Sequence, residues 1–104
     1  MTARGNEGQP IFRDDADRQM FLSLVGQIAE AQGVVVHAYC LMPNHYHLIV
    51  ETLRANLSQS LGWLQVVYAV RFNRKYGRHG HLFQDRFKAL VVDADAYAQV
   101  LTIY

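Results

Sequence analysis

Two runs of β-branched and aromatic residues, VVVHAYCLM (34–42) and HYHLIVE (45–51), stand with only Pro43-Asn44 between them. Side chains of that kind favour an extended backbone and a Pro-Asn pair turns it, so the two runs predict an antiparallel β-hairpin. A helical pattern lies on either side. Upstream, Phe21, Leu24, Val25 and Ile28 recur at three- and four-residue steps. Asp14 or Asp15 can cap a start near Ala16, and Gly33 supplies the stop. Downstream, Leu57, Leu61, Leu64, Tyr68 and Phe72 make a second buried stripe that starts from Asn56 or Ser58. Asn73 to Gly80 reads as a basic, glycine-punctuated connection, and LFQDRFKALVV (82–92) as a third strand. Asp93 or Asp95 would cap a last helix with Tyr97, Val100, Leu101 and Tyr104 on one face. Residues 1–10, broken by Gly5, Gly8 and Pro10, read as loop, and residues 2–12 hold too little for an edge strand. The order helix, strand, strand, helix, strand, helix predicts an α+β fold in which an antiparallel sheet is packed with helices. With no repeat or linker in 104 residues, one domain over 1–104 is expected.

Composition narrows the setting. Half of the residues are apolar (51%) and 18% are charged, a globular rather than a disordered balance. No apolar run approaches the ~20 residues of a membrane span. The start, MTARGNEGQP, lacks the apolar core of a signal peptide. Cys40 is the only cysteine, which excludes an intrachain disulfide and a cysteine-built zinc site. A cytoplasmic protein with no membrane partner is expected. Charge is distributed unevenly. Residues 1–50 carry three basic and five acidic side chains, whereas 71–88 hold Arg71, Arg74, Lys75, Arg78, Arg86 and Lys88 against Asp85 alone. That segment is interleaved with Phe72, Tyr76, Phe83 and Phe87. It suits either a polyanion with bases to stack on or an ordinary solvated helix end and loop.

His45-Tyr46-His47 is the sharpest chemical feature. On a strand, alternation sends His45 and His47 to one face, their Cα atoms roughly 6.5–7 Å apart, and sends Tyr46 to the other with Leu48 and Val50. Two imidazoles so spaced can clasp one divalent ion and leave it open positions for substrate oxygens. Equally, they can be two half-buried histidines bonded to neighbouring carbonyls. Tyrosine can act as a covalent nucleophile, but its pKa near ~10 calls for a nearby cation or metal. Spacing alone does not separate Tyr104 from Tyr68 or Tyr76.

HAYCLMPNHYHLIVE (37–51) resembles the signature of the single-tyrosine HUH transposases, in which two histidines flank a bulky apolar residue after Leu-Met-Pro-Asn. RGNEGQPIFRDDADRQMFL (4–22) is similar to that family's opening segment. RFNRKYGRHGHLFQDRFKALVVDADAYAQVLTIY (71–104) is similar to its basic connection, its Phe-Gln-x-Arg-Phe strand and its closing helix. The likeness therefore runs along essentially the whole chain, and is nearest to the REP-associated tyrosine transposases and neighbouring insertion-sequence transposases.

The resemblance implies a ferredoxin-like HUH architecture and an enzyme that cleaves and rejoins single-stranded or hairpin DNA through a 5′-phosphotyrosine. It implies that His45 and His47 bind Mg²⁺ or Mn²⁺ and that Tyr104, on the last helix, is the nucleophile. Arg71, Arg74, Lys75, Arg78, Arg86 and Lys88 are the candidates for holding phosphates. In that family a Gln or Asn one helical turn after the tyrosine is the third metal ligand, and the sequence stops at Tyr104. Water, Glu51 or a second subunit is left to supply it. Only Met1-Thr2-Ala3 precede Arg4 where relatives carry a strand, so the chain reads as shortened at both ends. An open sheet edge invites another chain, which predicts a homodimer. The alternative function is a catalytically incomplete DNA-binding remnant of such a transposase.

Overall fold

The computed structural model describes residues 3–4, 9–52, 57–83, 87–94 and 99–104. Its elements run β1 (Ala3–Arg4), α1 (Asp15–Gln32), β2 (Val35–Met42), β3 (His45–Thr52), α2 (Leu57–Tyr76), β4 (Ala89–Ala94) and β5 (Gln99–Ile103). This is the expected α+β fold, strand-helix-strand-strand-helix-strand as in ferredoxin-like proteins, with one further strand at the end.

The hairpin forms as its turn dictates. Pro43-Asn44 leaves Met42 opposite His45, and the ladder continues through Leu41↔Tyr46, Cys40↔His47 and Tyr39↔Leu48. A bulge between Val36 and Ala38 leaves His37 as the extra residue. The turn is held from outside, because the Ile11 and Phe12 N–H groups both donate to the Pro43 carbonyl (2.7 and 3.2 Å). The other edge of β3 is shared. β1 pairs with His45 and Tyr46, and β5 pairs with Leu48 through Thr52 before handing on to β4.

Two expectations are corrected here. Among the described residues the last helix is absent: Gln99–Ile103 is a strand, antiparallel to both β3 and β4. Val100, Leu101 and Tyr104 fit a helical step, but Leu101 and Ile103 also alternate toward the core, and the unpaired edge of β3 is satisfied only by an extended partner. Asp93 lies in β4 rather than capping a helix, and Asp95 and Tyr97 fall outside the described residues. The second correction is the amino terminus, where Ala3–Arg4 does form a short strand. Of the third strand expected over 82–92, the described residues show Ala89–Ala94, with Phe83 in an isolated bridge and 84–86 not described.

Both helices lie where the stripes predict. Asp14 caps α1, its carboxylate accepting from the Asp17 N–H at 2.9 Å, and Gly33 closes the helix at φ 67°. Phe21, Leu24, Val25 and Ile28 of α1 are buried, as are Leu61, Leu64, Tyr68 and Phe72 of α2. They cover one face of the sheet, against Tyr46, Leu48, Val50 and Ile103. Leu57 begins α2, with its side chain outside the described residues, and the helix runs on to Tyr76, so the connection starts at Gly77 rather than Asn73. Among the described residues, no helix is long and apolar enough to cross a membrane.

A buried carboxylate ties the two helices together. Asp17 is inaccessible to solvent, and accepts from the Tyr76 hydroxyl (2.6 Å), Lys75 Nζ (2.8 Å) and the Arg13 N–H (2.9 Å). Desolvation is the largest single influence and pushes its pKa up. The bonds from Lys75, Tyr76 and Arg13, with the Lys75 charge, together outweigh it and hold the carboxyl below its ordinary value. A carboxyl depressed on folding stabilises the protein above its unfolded pKa of about 4 and loses that effect as pH falls through the folded value. Asp17→Asn should therefore flatten the acid side of a plot of urea midpoint against pH. Asp17→Ala should cost ~2–3 kcal/mol at neutral pH, chiefly because the Tyr76 and Arg13 donors lose their acceptor. The partly exposed Lys75 contributes little of it. An unchanged acid limb would contradict this role.

Candidate active site

The helices cover only one side of the sheet, and the histidines are on the other. Alternation buries Tyr46, Leu48, Val50 and Thr52 of β3, and turns His45, His47, Ile49 and Glu51 outward. His45 is half-buried and its Nδ1 lies 2.9 Å from the Asn44 side-chain oxygen. With Nδ1–H donating there, Nε2 is the nitrogen with a lone pair to give. His47 is exposed.

Strand pairing brings Tyr104 to the same place. Leu48 stands opposite Ile103, so the next step of the ladder sets His47 beside Tyr104, and their ring centroids are 5.9 Å apart. The ladder goes one strand further: the Tyr104 N–H donates to the Lys88 carbonyl at 2.9 Å and the Lys88 N–H to the Tyr104 carbonyl at 2.7 Å. Directly opposed residues share a face, so Cys40, His47, Tyr104 and Lys88 form one row across β2, β3, β5 and the residue before β4. Ala38, Tyr39, Cys40, His47 and Ile49 line a cavity of ≈150 Å³ at the β2 end of that row. A larger cavity, ≈410 Å³, lies away from this face between the two helices.

Tyr68 and Tyr76, the tyrosines weighed against Tyr104, are occupied, and so is Tyr46. Burial pushes the Tyr46 and Tyr68 phenols up from their ordinary value, and each is hydrogen-bonded, Tyr46 to the Gln65 amide and Tyr68 to the Ile11 carbonyl. Tyr76 is raised by its bond to Asp17. Three phenols thus stay protonated, as packing and tethering groups.

His45 and His47 put two imidazoles on the outward face of β3, a donor type that suits divalent ions in general. Among the described residues, no three His, Cys, Asp or Glu side chains are grouped to hold a metal. Glu51, one expected source of a third ligand, pairs instead with the bulged His37, Oε1 to Nε2 at 3.1 Å. The basic residues divide. Arg71, Arg74 and Lys88 are exposed, whereas Lys75 is bound to Asp17 and Asp14, and Arg78 to Asn73 and Gln9. Arg86 lies outside the described residues. Phe83 and Phe87 pack against the core, Phe83 edge-on to Tyr46 at 6.0 Å. Two features went unread in the sequence, the Cys40–His47 opposition and the Asp17 anchor. The first follows from counting outward from the two-residue turn; no local signal marks the second.

Searches of the curated proteins and of the solved structures gave no match. A family model described as "Transposase IS200 like" matches residues 3–104. That span takes in both helices, the histidine strand and the terminal tyrosine, and the chain belongs to the IS200-like transposase family.

Proposed function

We propose that the chain cleaves and rejoins single-stranded or hairpin DNA, with Tyr104 as nucleophile and His45 and His47 as the residues that hold Mg²⁺ or Mn²⁺. The observation that carries this reading is the 5.9 Å between the His47 and Tyr104 rings, which puts a phenol beside an imidazole on one open sheet face. When bound, the ion supplies Lewis-acid polarisation of the scissile phosphodiester. The Tyr104 oxygen attacks phosphorus and releases its proton to solvent. The bond to the 3′ oxygen breaks, that oxygen takes a proton from solvent and leaves as a 3′-hydroxyl, and a 5′-phosphotyrosine keeps the phosphodiester energy. Attack by a 3′-hydroxyl reverses the step, which makes the outcome strand transfer rather than hydrolysis. Lys88, next in the row, offers its ammonium to a phosphate oxygen as charge builds. Arg71 and Arg74 of α2, across the sheet from the histidines, contact DNA backbone away from the reacting phosphate. The outer edge of β2 pairs with nothing else among the described strands, and a homodimer through it belongs to the same reading.

The test is a labelled single-stranded hairpin incubated with the protein and Mn²⁺, resolved under denaturing conditions. A covalent protein–DNA band is expected. His45→Ala/His47→Ala should remove it while leaving most of the DNA affinity, since phosphate contacts supply that affinity. A band of unchanged intensity in the double variant would overturn the histidine assignment. DNA binding without any band in the unaltered chain would favour the non-cleaving remnant.

A further inference from the structure

The side of α2 that faces away from the sheet carries an apolar line which packing leaves uncovered. Trp63, Val66 and Val70 are 43%, 64% and 49% exposed. Their steps of three and four residues put them on one side of the helix, with Gln59 before them and Arg74 after. Arg71 flanks the same end and is exposed. Trp63 also forms a wall of the ≈410 Å³ cavity between the helices, whose lining includes Gln27, Gln32 and Gln59. That volume falls in the range of small-ligand sites, ~300–1,000 Å³.

The chemistry selects the occupant. Nothing in Leu57–Tyr76 is acidic, and the exposed end of the line is doubly basic. A partner that is flat and apolar at one end and anionic along its length matches both ends. An indole stacks on any base, and primary amides give paired donors and acceptors to a base edge. Trp63 and Arg74 are separated by roughly 16 Å along the helix, a path longer than one nucleotide. We propose that this side of α2 is a second contact for single-stranded DNA, distinct from the histidine face: an unpaired base stacks on Trp63 against the glutamines, and the adjoining phosphates lie on Arg71 and Arg74. It rests on DNA being the substrate of a transposase and is independent of the tyrosine chemistry.

Trp63 is the only tryptophan of the chain, so its emission reports this site alone. Titration of the full chain with single-stranded oligo-dT at low salt should quench it, and added salt should reverse the quench. In parallel, anisotropy of a labelled oligo-dT should show Trp63→Ala about tenfold weaker and Arg71→Ala/Arg74→Ala weaker by a similar factor with a shallower salt dependence. Gln59→Ala, a change on the exposed helix surface, should weaken binding without altering the fold. Two results would overturn the proposal: anisotropy that saturates while Trp63 emission stays constant, or emission that shifts with protein concentration in the absence of DNA, the sign of a second copy on this face. A quench in a protein that forms no covalent band would leave this site standing and remove the strand-transfer reading; a band with no quench would do the reverse.

Discussion

Tyr104→Phe should abolish the covalent protein–DNA product, by ~10⁴-fold or more, while the chain stays folded and binds DNA as before. The change removes one oxygen. The ring keeps its place beside His47, and the backbone bonds to Lys88 that close the ladder are untouched. Among the other described tyrosines, Tyr46, Tyr68 and Tyr76 have their hydroxyls engaged and their pKa values raised, which disfavours each as a nucleophile. Tyr39→Phe is the control: Tyr39 is exposed at the edge of the hairpin, and its loss should leave the product unaffected. Gel analysis of the same hairpin substrate checks both. A covalent product that survives in Tyr104→Phe would move the nucleophile elsewhere.

Phe21→Ala should have the largest effect on stability, ~3–5 kcal/mol in denaturant unfolding. Phe21 is inaccessible to solvent, and its ring meets Tyr46 at 4.8 Å, Phe12 at 5.3 Å and Tyr68 at 5.4 Å between centroids. One side chain thus joins α1 to the histidine strand, to the segment beneath the hairpin turn and to α2. Truncation leaves a cavity at that junction and removes three ring contacts. Against the ~5–15 kcal/mol that usually holds a domain, such a loss populates the unfolded state at modest urea. Because Tyr46 lies between His45 and His47, a loosened Tyr46 should also weaken cleavage before global unfolding begins. A cost below about 1 kcal/mol would contradict the packing.

What the sequence reveals divides along local and non-local lines. The hairpin register is local: a two-residue turn at Pro43-Asn44 sets Met42 against His45, and every pairing up to the bulge at His37 follows. The helix stripes are local too, and so is the outward direction of both histidines. The segment around Tyr104 is not. Leu101 with Tyr104 satisfies a helical step, Leu101 with Ile103 satisfies a strand, and five or six residues are too few for periodicity to decide. The deciding term is the unpaired edge of β3 at Leu48–Thr52, half the chain away. As a strand, the segment puts Tyr104 beside His47 through the ladder itself. The basic segment shows the same limit. Lys75 reads as a phosphate ligand by composition, yet it closes on Asp17, 58 residues earlier, once the two helices pack. Asp17 itself reads as a favourable charge near a helix start, and only the end of α2 makes it a buried anchor.

The central claim is that two imidazoles hold an ion beside the terminal phenol, and paramagnetic broadening by Mn²⁺ tests it without any DNA. In proton spectra of the unaltered chain, sub-stoichiometric Mn²⁺ should broaden the His45, His47 and Tyr104 ring resonances ahead of those of Tyr68 and Tyr76, which lie on the helix side of the sheet, with Tyr104 identified by its loss in Tyr104→Phe. His45→Ala/His47→Ala should leave the Tyr104 resonances sharp at the same Mn²⁺ concentration. Broadening of Tyr104 that persists in the double variant, or none in the unaltered chain, would contradict the account.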